Sequence, residues 1–388
     1  MKVIYYSYPF FADCDFPLIK ALQDKGIDVH YYMPLPRNFQ RASILEFEKP
    51  LRGTGFVKAS KMKEMQVYKN CIDLDRLYFL KGFPRSPYWI PSWCLWIYAL
   101  FHMKRKKADI VHIDWQFNNY PFEKLLFSFS LGKKKVMTVH DPIMHSGQPN
   151  FLLEEKRRVI SFRWADHFIL LNRLQASAFM EKYSVPERKI SYSRLPNYDS
   201  ISKILPSKID LNFEYILFFG QIIPYKGLEY LLDAMIKVHE ILPSLKLIVA
   251  GRGDIYFDMS KYRDLDYIIW FNHYIGIREL AGLLEKTKFV VCPYKEATQS
   301  GVVHTAFAMG TPVIASNVGT LSSDVVDGQN GIIVPPCSVP HLADAIVGLY
   351  RDNNRLLYMK DFIVKCNAKN LSRDKVSEEY CEIYNHVK

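Results

Sequence analysis

The 388-residue chain predicts an α/β protein of two Rossmann-like domains, and three observations carry that expectation. Short apolar strand-like runs alternate with helical patterns, as parallel sheets with crossover helices require. The alternation stops once, in the Pro-, Ser-, Asn- and Asp-rich stretch RLPNYDSISKILPSKIDLNFE, and then restarts. The length exceeds what one core usually organises, while a composition of 49% hydrophobic and 23% charged residues is that of a chain able to bury sizeable cores.

The chain opens on KVIYYSY, a buried first strand. A secretory leader would continue as an apolar run, but MKVIYYSYPFFADCDF meets acids and a proline there, so no leader is expected. A helix follows from Phe16 to Lys25, closed by Gly26, and DVHYYMP, DIVHID, KKVMTVHD and HFILL supply further strands of a first domain at residues 1–195. Residues 196–214 read as a linker. A second domain at 215–370 then runs through YILFFG, a helix from about Leu228 to Leu242, LKLIVAG, YIIWF, a helix from Ile277 to Lys286, FVVCPY, a helix opening at Gly301, and PVIAS. Residues 371–388 read as a C-terminal helix packing back on the first domain. Open parallel sheets bind ligands beyond the carboxyl ends of their strands, so the chemistry is expected in those loops, facing a central cleft between the domains.

The seven cysteines are scattered with no pair at zinc or redox spacing, which points to a reducing compartment and no metal cluster. The sequon Asn370-Leu371-Ser372 matters only in a secreted protein and is read as chance. The net charge of +11 is unevenly spread: residues 1–200 hold 31 Lys+Arg against 19 Asp+Glu, whereas residues 201–388 hold 20 against 21. The first half therefore expects an anionic partner such as a membrane surface, a phosphorylated lipid or a nucleic acid. Its densest stretch, YWIPSWCLWIYALFHMKRKK, places Trp89, Trp93 and Trp96 before Lys104, Arg105, Lys106 and Lys107. Too short for a span, it suits a membrane interface; its alternative is a core helix with a basic last turn.

Two loops of the second domain read as anion sites. In FFGQIIPYKGLEYLLDAM, Gly220 permits a close turn and Lys226 stands before an amphipathic helix, where a cation suits the dipole only beside an anion. In KEATQSGVVHTAFAMGTPVIAS, Ser300 reads as an N-cap, and the amides of Gly301, Val302 and Val303 are open to a pyrophosphate, with Glu296 left for sugar hydroxyls. Each has an ordinary alternative: a solvated lysine, and a solvated loop acid.

Taken in order, these segments resemble the GT-B glycosyltransferases, in particular the large retaining glycosyltransferase family 4. The resemblance runs from PLIKALQDKGIDVHYYMP through VHID, VMTVHD and LPN, and is most specific in FFGQIIPYKGLEYLLDAM, LKLIVAGRGD and FVVCPYKEATQSGVVHTAFAMGTPVIASNVGTLSSDVVDGQNGIIVPP. It implies a nucleotide-sugar donor on the second domain and an acceptor on the first. It places Lys226 at the family's phosphate lysine, His140 near the transferred sugar, and Asn197 in the linker motif. It implies no metal, because basic side chains and helix ends neutralise the leaving diphosphate, and no cofactor, the nucleotide-sugar being a substrate. The sequence departs from the family twice. Gln221 stands where an arginine usually accompanies the lysine, and of the family's two glutamates the first position falls on Ala297, with Glu296 one position away, and the second on Thr305, leaving His304 or Thr305 to bind ribose hydroxyls.

The function expected is transfer of a hexosyl group, with retention, to a glycan or lipid-linked acceptor in bacterial-type surface polysaccharide or lipopolysaccharide assembly, cytoplasmic and peripheral at the inner face of a membrane, with no nucleic acid involved. An epimerase of the same fold and a non-catalytic membrane or nucleic-acid binder stay open. A dehydrogenase would need a third glycine, which AGRGD lacks, and Arg252-Gly253-Asp254 as an adhesion motif does not suit a strand-to-loop turn.

Overall fold

The computed structural model describes residues 1–83, 88–118, 120–128, 134–144, 151–297, 300–367 and 373–388. The sequon at 370–372 lies outside them. The chain is α/β, as expected, and forms two compact units, Met1–Pro196 with Arg373–Lys388, and Asn197–Ser372.

The first unit is built on an eight-stranded sheet. Its strands are β1 (Lys2–Tyr6), β2 (Asp28–Leu35), β5 (Gly55–Lys58), β6 (Leu77–Lys81), β7 (Ile110–Asp114), β8 (Lys134–Val139), β9 (His167–Leu170) and β10 (Ile190–Tyr192); β3 (Arg41–Ala42) and β4 (Leu45–Glu46) form a separate hairpin. The order is β10-β9-β8-β7-β1-β2-β6-β5, parallel throughout except that β5 runs antiparallel to β6. The order reverses between β1 and β7, the switch point at which such sheets leave a crevice. Strands β1, β2, β7 and β9 are almost wholly buried, which is why they read as unbroken apolar runs. The first helix, α1 (Ala12–Asp24), starts a turn earlier than its apolar spacing predicts. The C-terminal helix (Arg373–Val387) packs on α1, and Tyr384 and Tyr380 reach the sheet: Tyr384 Oη lies 2.6 Å from His112 Nδ1 and Tyr380 Oη 3.3 Å from Thr138 Oγ1.

The next helix, α2 (Ile90–Arg105), corrects the expectation for the aromatic stretch. Trp96 is fully buried, stacked on Phe83 at 5.4 Å and edge-on to Tyr6, while Trp93 is half-buried against Phe122. Trp89 is only partly exposed, and Lys106 folds over Tyr78, 3.3 Å from its hydroxyl. The outward face instead carries Ile90, Ile97, Tyr98 and Phe101, followed by Lys104, Arg105 and Lys107. The tryptophans face inward because Tyr6 of β1, Phe83 just after β6 and Phe122 of the helix Tyr120–Ser128 give them rings to pack on, and burying an indole removes more apolar surface than burying an isoleucine.

The second unit has a six-stranded parallel sheet: β11 (Tyr215–Phe219), β12 (Lys246–Ala250), β13 (Ile268–Phe271), β14 (Val290–Cys292), β15 (Val313–Ser316) and β16 (Gly331–Val334), ordered β13-β12-β11-β14-β15-β16. Its switch point lies between β11 and β14. Residues 197–214 are not a free linker: Ile201 and Ile204 are buried and Ser207 N–H donates to Arg278 O at 2.8 Å, so the stretch is ordered as part of this unit. Among the described residues no helix is long and apolar enough to cross a membrane.

Candidate active site

The two loops singled out in the second unit are those that leave β11 and β14, on either side of its switch point. After β11 the chain makes a 3-10 turn (Pro224–Lys226), then Gly227 takes φ +62° and the next helix begins at Leu228. A Cβ at Gly227 would lie 2.2 Å from Pro293 O, so only glycine lets this turn pack against the end of β14. The consequence is a buried Lys226, its ammonium 5.5 Å from the Tyr294 ring centre. No carboxylate pairs with it among the described residues, and burial lowers its pKa to about 8. A buried amine without an anion is costly, and such costs concentrate at binding sites.

The helix after β14 runs Gly301–Ala308 and brings its first turn to the same place. A Cβ built on Gly220 would meet Lys226 Nζ at 2.6 Å and Val302 Cγ2 at 3.5 Å, so the β11 loop, the lysine and this helix end converge on one glycine. Ser300 caps the helix, but its Oγ accepts from Val303 N–H, which corrects the expected trio of open amides to Gly301 and Val302. Glu296 is exposed in the loop between β14 and this helix. The residues expected to replace a second carboxylate are engaged within the unit. Thr305 Oγ1 donates to Gly301 O at 2.7 Å, while buried His304 lies 3.6 Å from Asp324 and 5.9 Å from the Tyr198 ring. The helix turn absorbs the threonine hydroxyl, so Thr305 keeps only lone pairs to offer a ligand.

Beside this convergence a cavity of about 780 Å³ opens between the loops after β11 and β12. Gln221 lines it, and so does Arg252, which reading along the chain did not select. The two loops are locked together: Ile222 N–H donates to Arg252 O at 3.0 Å, and a Cβ at Gly253 would lie 2.2 Å from Ile222 O. Arg252 is exposed, has no ion-pair partner among the described residues, and is the cavity's basic lining residue. Tyr256 and Tyr274 supply aromatic surface there.

In the first unit, His140 follows β8 and is buried between aromatic rings, stacked on Phe11 at 4.1 Å and tilted against Trp115 at 5.8 Å. Its Nε2 lies 2.8 Å from Oδ1 of Asp114, the last residue of β7. Burial lowers the imidazole pKa to about 4 and raises that of Asp114 to about 7. Asp15, whose carboxyl pKa is pushed well up by burial and by the neighbouring Asp114, accepts from Tyr5 at 2.9 Å and Tyr31 at 2.7 Å. Asp114 and Asp15 escaped sequence reading because nothing in a strand-ending VHID or a helix-starting ADCD says that the two meet. Cys14 Sγ, Asp114 and His140 form the one group of metal-ligand types among the described residues, within 4.8 Å of one another. Burial holds the thiol protonated, and Cys14 donates to Phe11 O at 3.1 Å, so a cation would have to displace a proton and two hydrogen bonds.

Residues 214–352 match the family model for Glycosyl transferases group 1. Over 328 residues the chain is 22% identical to the alpha-D-kanosaminyltransferase of Streptomyces kanamyceticus, covering 77% of this chain and 83% of that one. Its fold is similar to that of a sucrose-phosphate synthase from Thermosynechococcus elongatus, with TM-score 0.68, 15% identity and 100% and 99% of the two chains covered. Anabaena Alr3699/HepE, solved in complex with UDP and glucose, is likewise similar, with TM-score 0.66, 12% identity and both chains fully covered.

Proposed function

We propose, from the premise that this chain is a glycosyltransferase of the GT-B fold carrying a group 1 transferase domain, that it moves a hexosyl group from a nucleoside diphosphate sugar bound by its second unit to a glycan or lipid-linked acceptor held by its first. The observation that carries the donor site is Lys226, buried with no carboxylate partner among the described residues and set beside the first-turn amides of Gly301 and Val302, for which no acceptor is found among those residues. A diphosphate supplies the missing charge to the lysine and the missing acceptors to the amides. As the bond to the anomeric carbon breaks, charge develops on the leaving diphosphate, and both features bear on it at that moment. The cavity lined by Gln221, Arg252, Tyr256 and Tyr274 takes the rest of the nucleotide, a reading supported by the UDP in the Anabaena protein of similar fold.

Transfer proceeds with retention, by attack on the face from which the diphosphate leaves, with His140 and Glu296 orienting the sugar. The acceptor belongs to surface polysaccharide or lipopolysaccharide assembly at the inner face of an anionic membrane. Supporting that assignment are the +12 balance of the first 200 residues and the outward face of α2, which sets Ile97, Tyr98 and Phe101 beside Lys104, Arg105 and Lys107.

Calorimetric titration of UDP, GDP and ADP into the wild type and Lys226→Ala tests the donor site. Tight binding of one nucleotide, lost in the variant, is the expected result. Undiminished binding to Lys226→Ala would show that the diphosphate sits elsewhere.

A further inference from the structure

Both loops that leave the first unit's switch point, after β1 and after β7, carry aromatic rings. Phe10 and Phe11 close the short turn Pro9–Phe11, and Trp115 directly follows β7. Phe10 is 45% exposed and stacked with Tyr8 at 5.5 Å and 7°. Phe11 lies 4.4 Å from Phe10 and 5.4 Å from Trp115, so the three rings form one aromatic surface. A single exposed phenylalanine is ordinary. This one is held by a stacked ring and adjoins a strained residue: Trp115 sits at φ +82°, a conformation that a bulky side chain rarely adopts and that clusters at ligand sites.

The polar group beside these rings is an acid. Asp13, two residues past Phe11 in the first turn of α1, is partly exposed; its Oδ1 accepts from Cys14 N–H at 2.9 Å, and no Lys or Arg pairs with it among the described residues. Burial lifts its pKa to about 6, which leaves it mostly ionised at pH 7. Arg158 lies 5.4 Å from the Trp115 ring centre, but it is buried and donates to Gln116 Oε1 at 2.9 Å and Asp141 O at 2.6 Å. A phosphate arriving on the rings would therefore meet an unpaired carboxylate. A neutral sugar gains twice, since its C–H face covers the rings and its hydroxyls donate to the acid.

We propose that Phe10, Phe11 and Trp115 are a platform for a neutral pyranose ring of the acceptor, with Asp13 accepting from its hydroxyls. This deepens the transferase reading and rests on its assignment of the acceptor to the first unit, to which all four residues belong.

The test is saturation-transfer NMR on the full-length protein with the methyl pyranosides of glucose, galactose, mannose and N-acetylglucosamine. At least one should bind wild type at millimolar concentration, saturated most strongly on the C–H protons of one ring face. Phe10→Ala should weaken that binding about tenfold. Phe10→Leu, which keeps apolar bulk but no flat ring, should weaken it too and serves if the alanine variant does not fold. The 1-phosphate of the same sugar should bind wild type more weakly than the methyl glycoside, and Asp13→Asn should narrow that gap. The octyl glycoside separates the two sources of such a ring: a gain over the methyl glycoside points to a lipid-borne sugar and no gain to a glycan end, and both uphold the platform. Pyranosides that fail to bind wild type, or that bind the Phe10 variants equally well, overturn the proposal; nucleotide binding that persists in the same samples then leaves the transferase reading standing. Pyranoside binding that depends on Phe10 in a protein that takes no UDP, GDP or ADP keeps the platform and removes the transferase reading.

Discussion

At the scale of single residues, the proposed donor site sets stability against binding. Lys226 has its pKa lowered to about 8 from 10.5 because burial penalises the ammonium. The unfolded chain binds that proton more readily, so the penalty is fully present below pH 8 and fades as pH rises towards 10.5. Replacing Lys226 by methionine should therefore stabilise the nucleotide-free protein at pH 7 by up to about 3 kcal/mol, a gain that shrinks in alkali, while abolishing nucleotide binding. Thermal unfolding followed from pH 7 to 10 checks the sign, and a less stable variant at pH 7 would refute it. Arg252 makes the complementary case. Cavity geometry sets this cation next to the neutral Gln221, so Arg252→Ala should weaken nucleoside diphosphate binding about tenfold and the monophosphate less, with a shallower salt dependence. Equal loss for both nucleotides would place the arginine away from the terminal phosphate. Lys226 was legible because a lysine before a helix is anomalous unless an anion is near. Arg252 was not, because its relation to Gln221 arises only when β12 pairs with β11.

Whole elements show the same division between what patterns reveal and what packing decides. Strands β1, β2, β7, β8, β9 and β11–β15 and the helices at Leu228–Ile241 and Ile277–Lys286 were readable to within a few residues, because their apolar periods are unambiguous, whereas the interior strand β6 and the last strand β16 went unread. The edge strands β5 and β10 also went unread, being short and half-buried throughout. α2 was readable as a helix but not in its orientation: it is apolar on both sides, and a helix wheel cannot say which side the sheet will take. The first unit's core took Trp96 and half of Trp93, so the face left exposed, and the one proposed to meet a bilayer, is Ile97, Tyr98 and Phe101 with the basic last turn. Changing Ile97 and Phe101 to aspartate together should leave the fold intact, since both side chains are exposed, yet strongly reduce co-sedimentation with anionic vesicles. Neutralising Lys104, Arg105 and Lys107 should remove the salt-sensitive part, about 1 kcal/mol per cation. Vesicle binding unchanged in both variants would remove α2 from the membrane.

The molecule as a whole is two units whose cores are assembled differently. The second is one continuous segment, with Leu228, Leu231 and Met235 buried on one face of its sheet and Val303, Ala306 and Phe307 on the other. The first is closed by the two ends of the chain, since the C-terminal helix buries Val376, Tyr380 and Tyr384 against it, with both tyrosine hydroxyls bonded to strand residues. Each of these side chains contributes roughly 2 kcal/mol of apolar burial, so losing all three is comparable with the net stability of an ordinary domain. Deleting residues 373–388 should consequently unfold or severely weaken the first unit. The proposed donor site, at Gly220, Lys226, Glu296, Gly301 and Val302 of the second unit, should survive it. Calorimetry then predicts a specific pattern: nucleotide raises the melting transition of the second unit in both full-length and truncated proteins, while truncation lowers or erases only the other transition. Loss of nucleotide binding on truncation would mean that the second unit depends on the first for its fold, and that the donor site does not belong to one unit alone.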